Sequence, residues 1–347
     1  MAQRMTKHSK HGDNLRRIVE AFPKITVTVV GDLVADEFVF GEISRVSREA
    51  PVLILKHRER TVLPGGGANA VNNLADLGVN VLPVGVVGQD EAGRLLLQAF
   101  RHKHIALTGI LKDKNYSTVT KTRILAGMSH TARQQVVRVD REPDAEPSAH
   151  LKRELILAAR EYVRASDALL ISDYGYGAAS PAILKSIRER GGLDDMPVVL
   201  DSRFRILQYS GVTAATPNEP EVEEALDTQI GNDWSRLCAA GEELISRMKL
   251  HSLVITRGRD GMVAFSKQKP VDIPIFGSDQ VTDVTGAGDT VIATFTAALA
   301  AGATTQEAAH LANYAGGIVV MKRGTATVSQ AELLHAIDQA PQQTRAH

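Results

Sequence analysis

Apolar residues follow two different periods along this chain, and the period changes near residue 140. Ile25 to Val30 is a continuous, largely β-branched run that ends at Gly31-Asp32, the pattern of a strand buried on both faces. From Leu33 to Leu55 apolar and polar residues alternate, with Phe38, Phe40, Val52 and Ile54 on one parity. Thr118–Ile124 and Gln135–Val139 alternate in the same way. These segments predict exposed strands of a small accessory sheet, not core strands. Between them, Ala68–Leu77 has helical spacing through Val71, Leu74 and Ala75, with Gly78 as its stop. After residue 140, strands are predicted over Ala168–Ser172, Val198–Asp201, Ala214–Pro217 and Ser252–Thr256. Helices are predicted over Pro181–Arg190, from Glu219 onward, over Ala287–Ala301 and over Gln306–Lys322. Strand and helix taking turns predict an α/β fold, with a mostly parallel central sheet flanked by helices.

Composition narrows the picture only a little. The 347 residues are 44% hydrophobic, enough for one large domain, which we draw over 23–335 between an N-terminal extension (1–22) and a C-terminal tail (336–347). Lys+Arg and Asp+Glu number 40 each, so no basic excess points to nucleic acid as a partner. The single cysteine, Cys238, has no internal disulfide partner and fits a reducing compartment. No apolar run reaches membrane-spanning length; Val291–Ala301 is short and broken by threonines. Met1–Arg17 is basic and polar without the apolar stretch of a signal peptide, and reads as a disordered start leading into a helix. These features exclude a membrane partner and favour the cytoplasm.

Residues 281–290, Val-Thr-Asp-Val-Thr-Gly-Ala-Gly-Asp-Thr, carry the most chemistry. Gly286 and Gly288 sit at the mouth of a predicted helix, where backbone N–H groups can converge on a phosphoryl group. Asp289 follows directly. It suits a general base beside an anion site, or an ordinary helix-capping acid. Pro64-Gly65-Gly66-Gly67-Ala68-Asn69 opens another helix, and its glycines permit close approach of a ligand or form a plain turn. Asp32 and Asp36 follow the first strand, facing the crevice where ligands bind to open α/β sheets; Asp32 suits a turn-stabilising role. Asn218 and Glu221 lie one helical turn apart. They suit a hydrated Mg²⁺ beside phosphates, or a helix start complementing its dipole. Gly-x-Gly-x-x-Gly after the first strand, Gly-x-x-x-x-Gly-Lys-Ser/Thr, zinc-binding His-Glu-x-x-His and Gly-x-Ser-x-Gly do not occur.

Asp283–Asp289 resembles the C-terminal signature of the ribokinase-like (PfkB) sugar kinases, and Pro64–Gly78 resembles their N-terminal signature. The resemblance implies a ribokinase-like fold whose small sheet is a lid over about residues 37–60 and 108–140. It implies transfer of the ATP γ-phosphoryl group to a sugar hydroxyl, with Mg²⁺ and, as a further candidate, a monovalent cation. Asp289 becomes the catalytic base and the Gly286, Ala287 and Gly288 backbone the anion hole. Asp36, Gly65, Gly66, Gly67, Asn69 and Asp283 fall on the sugar side. Asn218 and Glu221 organise the metal through water. Thr256, Arg257, Gly258 and Asn313 fall near the nucleotide, although Arg257 equally fits a surface charge and Asn313 a structural role.

Three further stretches are similar to one branch, the heptose 7-phosphate kinases of ADP-heptose synthesis: Ser44–Val52, Ser172–Gly177 and Lys322–Ser329. That branch acts on the anomeric hydroxyl of a sugar already carrying a phosphate. Lys121, Arg123, Arg133 and Arg138 would then clamp the phosphate from the lid, or else face solvent. The chain departs from the branch at Arg48 (usually Pro), at Tyr176 (a segment with Lys) and at Asp201-Ser202-Arg203 (usually Asp-Pro-Lys). The His-x-Gly-His motif of the branch's nucleotidyltransferase half does not occur, so only the kinase step is expected. Dimeric relatives, and the apolar parity of Phe38, Phe40, Val52 and Ile54, lead us to expect a homodimer with lids packed face to face.

Overall fold

The computed structural model describes residues 2–127, 134–189, 193, 196–277 and 282–339, with side chains from residue 12 onward. Helix α1 (Ala2–Ala21) leads into β1 (Thr26–Gly31), and the chain then leaves the core along β2 (Leu33–Val46) and returns along β3 (Leu53–Gly66). Next come α2 (Gly67–Asp76), β4 (Asn80–Gly88), α3 (Glu91–His102), β5 (Ile110–Asp113), β6 (Val119–Gly127) and β7 (Gln134–Arg141). The second half is α4 (Ala149–Val163), β8 (Ala168–Asp173), α5 (Pro181–Arg188), β9 (Val198–Ser202), β10 (Ala214–Ala215), α6 (Glu219–Leu226), α7 (Trp234–Met248) and β11 (Ser252–Thr256). The strands β12 (Met262–Phe265) and β13 (Val271–Ile273), then helices α8 (Ala287–Ala300), α9 (Thr305–Val319) and α10 (Gln330–Gln339), complete it.

Among the described residues the main sheet has the order β13-β12-β11-β10-β9-β8-β1-β4-β5, and a second sheet has the order β3-β2-β6-β7. The main sheet is parallel from β11 to β5; at the edge β12 runs antiparallel to both its neighbours, β11 and β13. Alternate residues of the central strands feed two cores. Val27, Val29 and Leu170 pack with α1, α2, α3, α8, α9 and α10; Val30, Leu169 and Ile171 pack with α4, α5, α6 and α7. This is why the central strands read as continuous apolar runs.

Three boundaries differ from the expectation. Leu15, Ile18, Val19 and Phe22 are buried in the main core, and Arg16 pairs with Asp338 of α10. Residues 12–22 are therefore an integral layer of the domain; the helical period of that apolar face was hidden among charges. Ala336 and Ile337 are likewise buried, so the domain runs past 335. Ile110–Asp113 pairs with β4 in the main sheet, so the lid proper starts near residue 119.

Candidate active site

The parallel strands β1, β8, β9, β10 and β11 end side by side, and the predicted site residues gather along this carboxyl edge. Gly286 caps α8 in the left-handed region (φ 78°), and Asp289 sits in the first turn, buried. The backbone N–H groups of Gly286 and Gly288 make no hydrogen bond among the described residues, whereas that of Ala287 turns to the Val284 carbonyl at 3.2 Å. Free donors therefore come from the two glycines, not from all three residues of the expected hole. A Cβ on Gly286 would approach Asn69 Nδ2 to 2.4 Å, whereas one on Gly288 would meet nothing within 4 Å. Gly286 is needed for packing as well as conformation; at Gly288 neither the backbone nor the described neighbours require a glycine.

Each oxygen of Asp289 accepts one hydrogen bond, from Asn69 Nδ2 (2.9 Å) and from the Tyr174 hydroxyl (2.7 Å). Asn69 also donates to the Gly286 carbonyl (3.3 Å) and accepts from Asn73 Nδ2 (3.1 Å). The expected sugar ligand Asn69 thus spends its donors on Asp289 and the loop before it. Burial pushes the Asp289 carboxyl up to about 7, opposed by the hydrogen bonds from Tyr174 and Asn69. A carboxylate poised near neutrality suits a proton acceptor.

Asp36 lies on β2 with its carboxylate against Arg123 Nη1 (2.5 Å), both nearly buried. A Cβ on Gly65 would come 2.5 Å from Asp36 Oδ2, which explains the glycine. Gly66 adopts φ 52° against the Tyr174 ring, and a Cβ on Gly67 would press on the Asp32 carbonyl. Asp32 itself is buried and accepts backbone N–H bonds from Tyr174, Tyr176 and Ala178. Its structural role was expected, but the loop it holds is distant in sequence. Asp283 departs from its expected place on the sugar: it accepts from the backbones of Thr285 (2.9 Å) and Gly324 (3.0 Å) and ties two loops together.

A cavity of ≈ 550 Å³ opens beside Tyr174, lined by Lys121, Arg138, Tyr176 and Arg203, with Asp140 and Glu142 on its rim. Lys121 is buried, makes no ion pair among the described residues and sits 5.3 Å from the centre of the Tyr174 ring. Burial and the neighbouring Arg203 hold its pKa below the ordinary lysine value. Arg138 is held by Asp140 at 2.8 and 2.7 Å, and Tyr176 donates to Glu142 at 2.8 Å. Arg123 is committed to Asp36 and stacks on Phe38, so it is not a free clamp; Arg133 lies outside the described residues. Arg203 was passed over for the clamp. Its basic replacement of the branch's Asp-Pro-Lys lysine was the available signal.

On the other side of Gly288 lies a second cavity, of ≈ 340 Å³, lined by Thr256, Gly258, Ile275, Asn313 and Gly317 among others. It is bounded by the β11–β12 turn and by α9. Asn313 donates to the Pro274 carbonyl (2.8 Å), which fixes the loop after β13. Arg257 pairs with Glu219 (3.2 Å) and does not line this cavity. Gly316-Gly317 went unnoticed in the sequence, although paired glycines inside a helix carry a propensity cost that asks for a reason. A Cβ on Gly317 would collide with the Phe276 backbone.

Asn218 and Glu221 form a reciprocal capping box at the start of α6, at 2.9 Å each way. The pair therefore starts the helix, as one of its two readings has it. The carboxylate of Asp201, at the end of β9, makes no hydrogen bond among the described residues, and burial with the charges of Glu221, Asp289 and Asp173 raises its pKa well above the ordinary value. Crowded carboxylates of this kind fit a divalent cation. Among the described residues no three His, Cys, Asp or Glu side chains converge to hold an ion unaided.

The geometry is that of a phosphotransferase, with one cavity at a helix N-terminus, a buried carboxylate in the first turn of that helix, and a second cavity lined by Tyr174, which donates to that carboxylate. The chain matches the family described as pfkB family carbohydrate kinase over residues 26–332, and it belongs to that family. It is 41% identical over 312 residues to the bifunctional protein HldE of Geobacter metallireducens, covering 89% of this chain and 62% of that protein. Against the HldE of Geobacter sulfurreducens the identity is 39% over 315 residues, covering 90% and 63%. The chain thus spans less than two thirds of those relatives. Among solved structures it is similar to Arabidopsis thaliana ribokinase complexed with ribose and ATP (TM-score 0.69, 19% identity, 91% of this chain and 99% of that one). It is also similar to Escherichia coli phosphofructokinase-2 in complex with substrates and products (TM-score 0.72, 17% identity, 90% and 98%). The fold is ribokinase-like, and the chain is a carbohydrate kinase with an alcohol group as phosphoryl acceptor. Among the described residues no helix is long and apolar enough to cross a membrane.

Proposed function

We propose that this kinase phosphorylates the anomeric hydroxyl of heptose 7-phosphate, working in the cytoplasm where ATP is supplied. The observation that carries the phosphorylated-sugar part is Lys121, a buried ammonium that makes no ion pair among the described residues and lines the cavity beside Tyr174. The resemblance to HldE proteins supports the choice of heptose. Asp289 takes the proton of the acceptor hydroxyl. The new O–P bond forms as the bond from the γ-phosphorus to the ADP oxygen breaks, and the Gly286 and Gly288 N–H groups receive the transferred phosphoryl oxygens. Mg²⁺, held through water by Asn218 and Glu221 beside Asp201, would neutralise phosphate charge. The cavity containing Thr256, Gly258 and Asn313 takes the nucleotide.

A charge-assisted hydrogen bond is worth about 1.5–3 kcal/mol, and about 1.4 kcal/mol is one decade in affinity. Lys121→Ala or Arg203→Ala is therefore expected to raise KM for heptose 7-phosphate by roughly tenfold or more and to leave activity on ribose little changed. Arg123→Ala should weaken both substrates, because it strips buried Asp36 of its partner. The comparison is kcat/KM for heptose 7-phosphate, fructose 1-phosphate and ribose. A preference for ribose, untouched by Lys121→Ala, would reject the heptose reading and leave the carbohydrate kinase standing.

We also propose a homodimer, through a different lid face from the one expected. By strand register Phe38 and Phe40 share a face with Asp36, Lys121 and Arg123, and Phe38 is buried there; Val52 lies in the turn before β3. Val39, Ile124 and Val137 are aligned on the opposite face, with Val139 beside them. Val137 and Val139 are 45% and 55% exposed. An apolar stripe of this kind is one that soluble proteins usually cover. Light scattering at micromolar concentration should give twice the chain mass, and Val137→Asp with Val139→Asp should halve it. A fully active wild-type monomer would overturn the dimer.

A further inference from the structure

We infer that Tyr174 is a positioning residue for the base, and that Asp32 acts through it. This rests on Asp289 being the proton acceptor. Three observations converge on the tyrosine. Its hydroxyl donates to Asp289 Oδ1 at 2.7 Å, while Asn69 holds the other oxygen, so the carboxylate is fixed from two sides. Its ring is wedged between Gly66, whose Cβ would come 3.2 Å from Tyr174 Cε2, and the Lys121 ammonium. Its backbone N–H donates to Asp32 Oδ2 at 2.9 Å; Tyr176 donates to the same oxygen at 3.0 Å and Ala178 to Oδ1 at 2.9 Å. Gly175 and Gly177, both with φ near +90°, bend the loop so that these N–H groups point at one carboxylate.

A carboxylate buried at the end of β1 is costly unless hydrogen-bonded. Here its bonds go to a loop that carries nothing but Tyr174 to the base. A hydroxyl that donates to Asp289 favours the ionised form, which is the form that accepts a proton. The other charged groups facing Asp289 are Asp36 from β2, Lys121 from β6 and Asp201 from β9, and none of them is hydrogen-bonded to it. Tyr174 and Asn69 are thus the two hydrogen-bonding contacts that aim the base and, against burial, favour its ionised form.

The test is Tyr174→Phe in the full chain, which keeps the ring and its packing. The acidic limb of the kcat profile should move up by about one to two pH units, given the strength of a charge-assisted hydrogen bond. At pH 7 kcat should fall about tenfold or more and recover largely by pH 9, with KM for ATP unchanged. Asp32→Asn replaces one acceptor oxygen by a donor facing the loop and should shift the same limb in the same direction. A thermal melt of Tyr174→Phe within a few degrees of wild type guards against misfolding. An unmoved limb in Tyr174→Phe, whether kcat is unchanged or falls equally at every pH, overturns the inference. Asp289→Asn is the control for the premise. If that variant keeps wild-type kcat, the base assignment fails; if it is inactive while Tyr174→Phe keeps the wild-type limb, only the positioning inference fails.

Discussion

Asp289→Asn is expected to lower kcat by about 10²–10⁴-fold, the usual effect of removing a general base. Asparagine keeps the size and can still accept from Tyr174 or Asn69, so KM for ATP should stay near wild type. The pH dependence follows from burial, which pushes the Asp289 carboxyl up to about 7. Wild-type kcat should fall tenfold per unit below that pH, and the variant should lack this limb. The same shift makes a stability prediction of opposite sign. The fold prefers the neutral carboxyl, so the stabilising preference is complete below the ordinary pKa of 3.8 and is lost as pH rises through about 7. A rise from 3.8 to about 7 corresponds to about 4 kcal/mol of strain above neutrality, at 1.36 kcal/mol per unit. Asparagine escapes it. The variant should therefore melt above wild type at pH 8, with the gap closing towards pH 4. Equal activity in a regime where chemistry limits turnover would remove Asp289 from the role of base.

Gly286→Ala and Gly288→Ala are expected to fail in different ways, although the two glycines are two positions apart in one loop. At Gly286 the backbone is left-handed, and a methyl group would strike Asn69 Nδ2, one of the two holders of the base. Losing the loop geometry and the Asn69 contact together should lower kcat by about 10²–10³-fold, as for an oxyanion-hole donor, and should lower Tm as well. At Gly288 a methyl group meets nothing within 4 Å, and the residue lines the cavity bounded by α9. Tm should be unchanged, while KM for ATP rises and kcat falls. Steady-state kinetics with a thermal melt separates the two. A destabilised Gly288→Ala with normal kinetics would contradict an anion site there.

The clamp shows where one-dimensional reading stops. Lys121, Arg123 and Arg138 are equivalent as cations on alternating strands. The register of β2 with β6 sets Asp36 opposite Lys121, yet the Asp36 carboxylate pairs with Arg123, two residues further along β6, and Lys121 is left without an ion pair among the described residues. Arg203, 65 positions past Arg138, joins them because β9 ends beside β8 in the sheet. Tyr174 is the same case: its neighbour Asp289 is 115 positions away, and no spacing rule spans that distance.

The chain by itself determined whatever depends on local geometry. A β-branched run buried on both faces, a glycine pair at a helix mouth and an acid in the first helical turn are set by φ, ψ and the helix end, within a few residues. From these came the alternating α/β order, the phosphoryl loop with Asp289, and the Asn218–Glu221 pair. Tertiary structure alone decided which residues share a face of the small sheet and which polar groups are already engaged. It turned Asn69 and Tyr174 on to Asp289, Asp283 on to backbone and Arg257 on to Glu219. The reason is that a side chain's free hydrogen-bonding capacity is what remains after its neighbours in space are satisfied, and those neighbours are assigned by strand order and register.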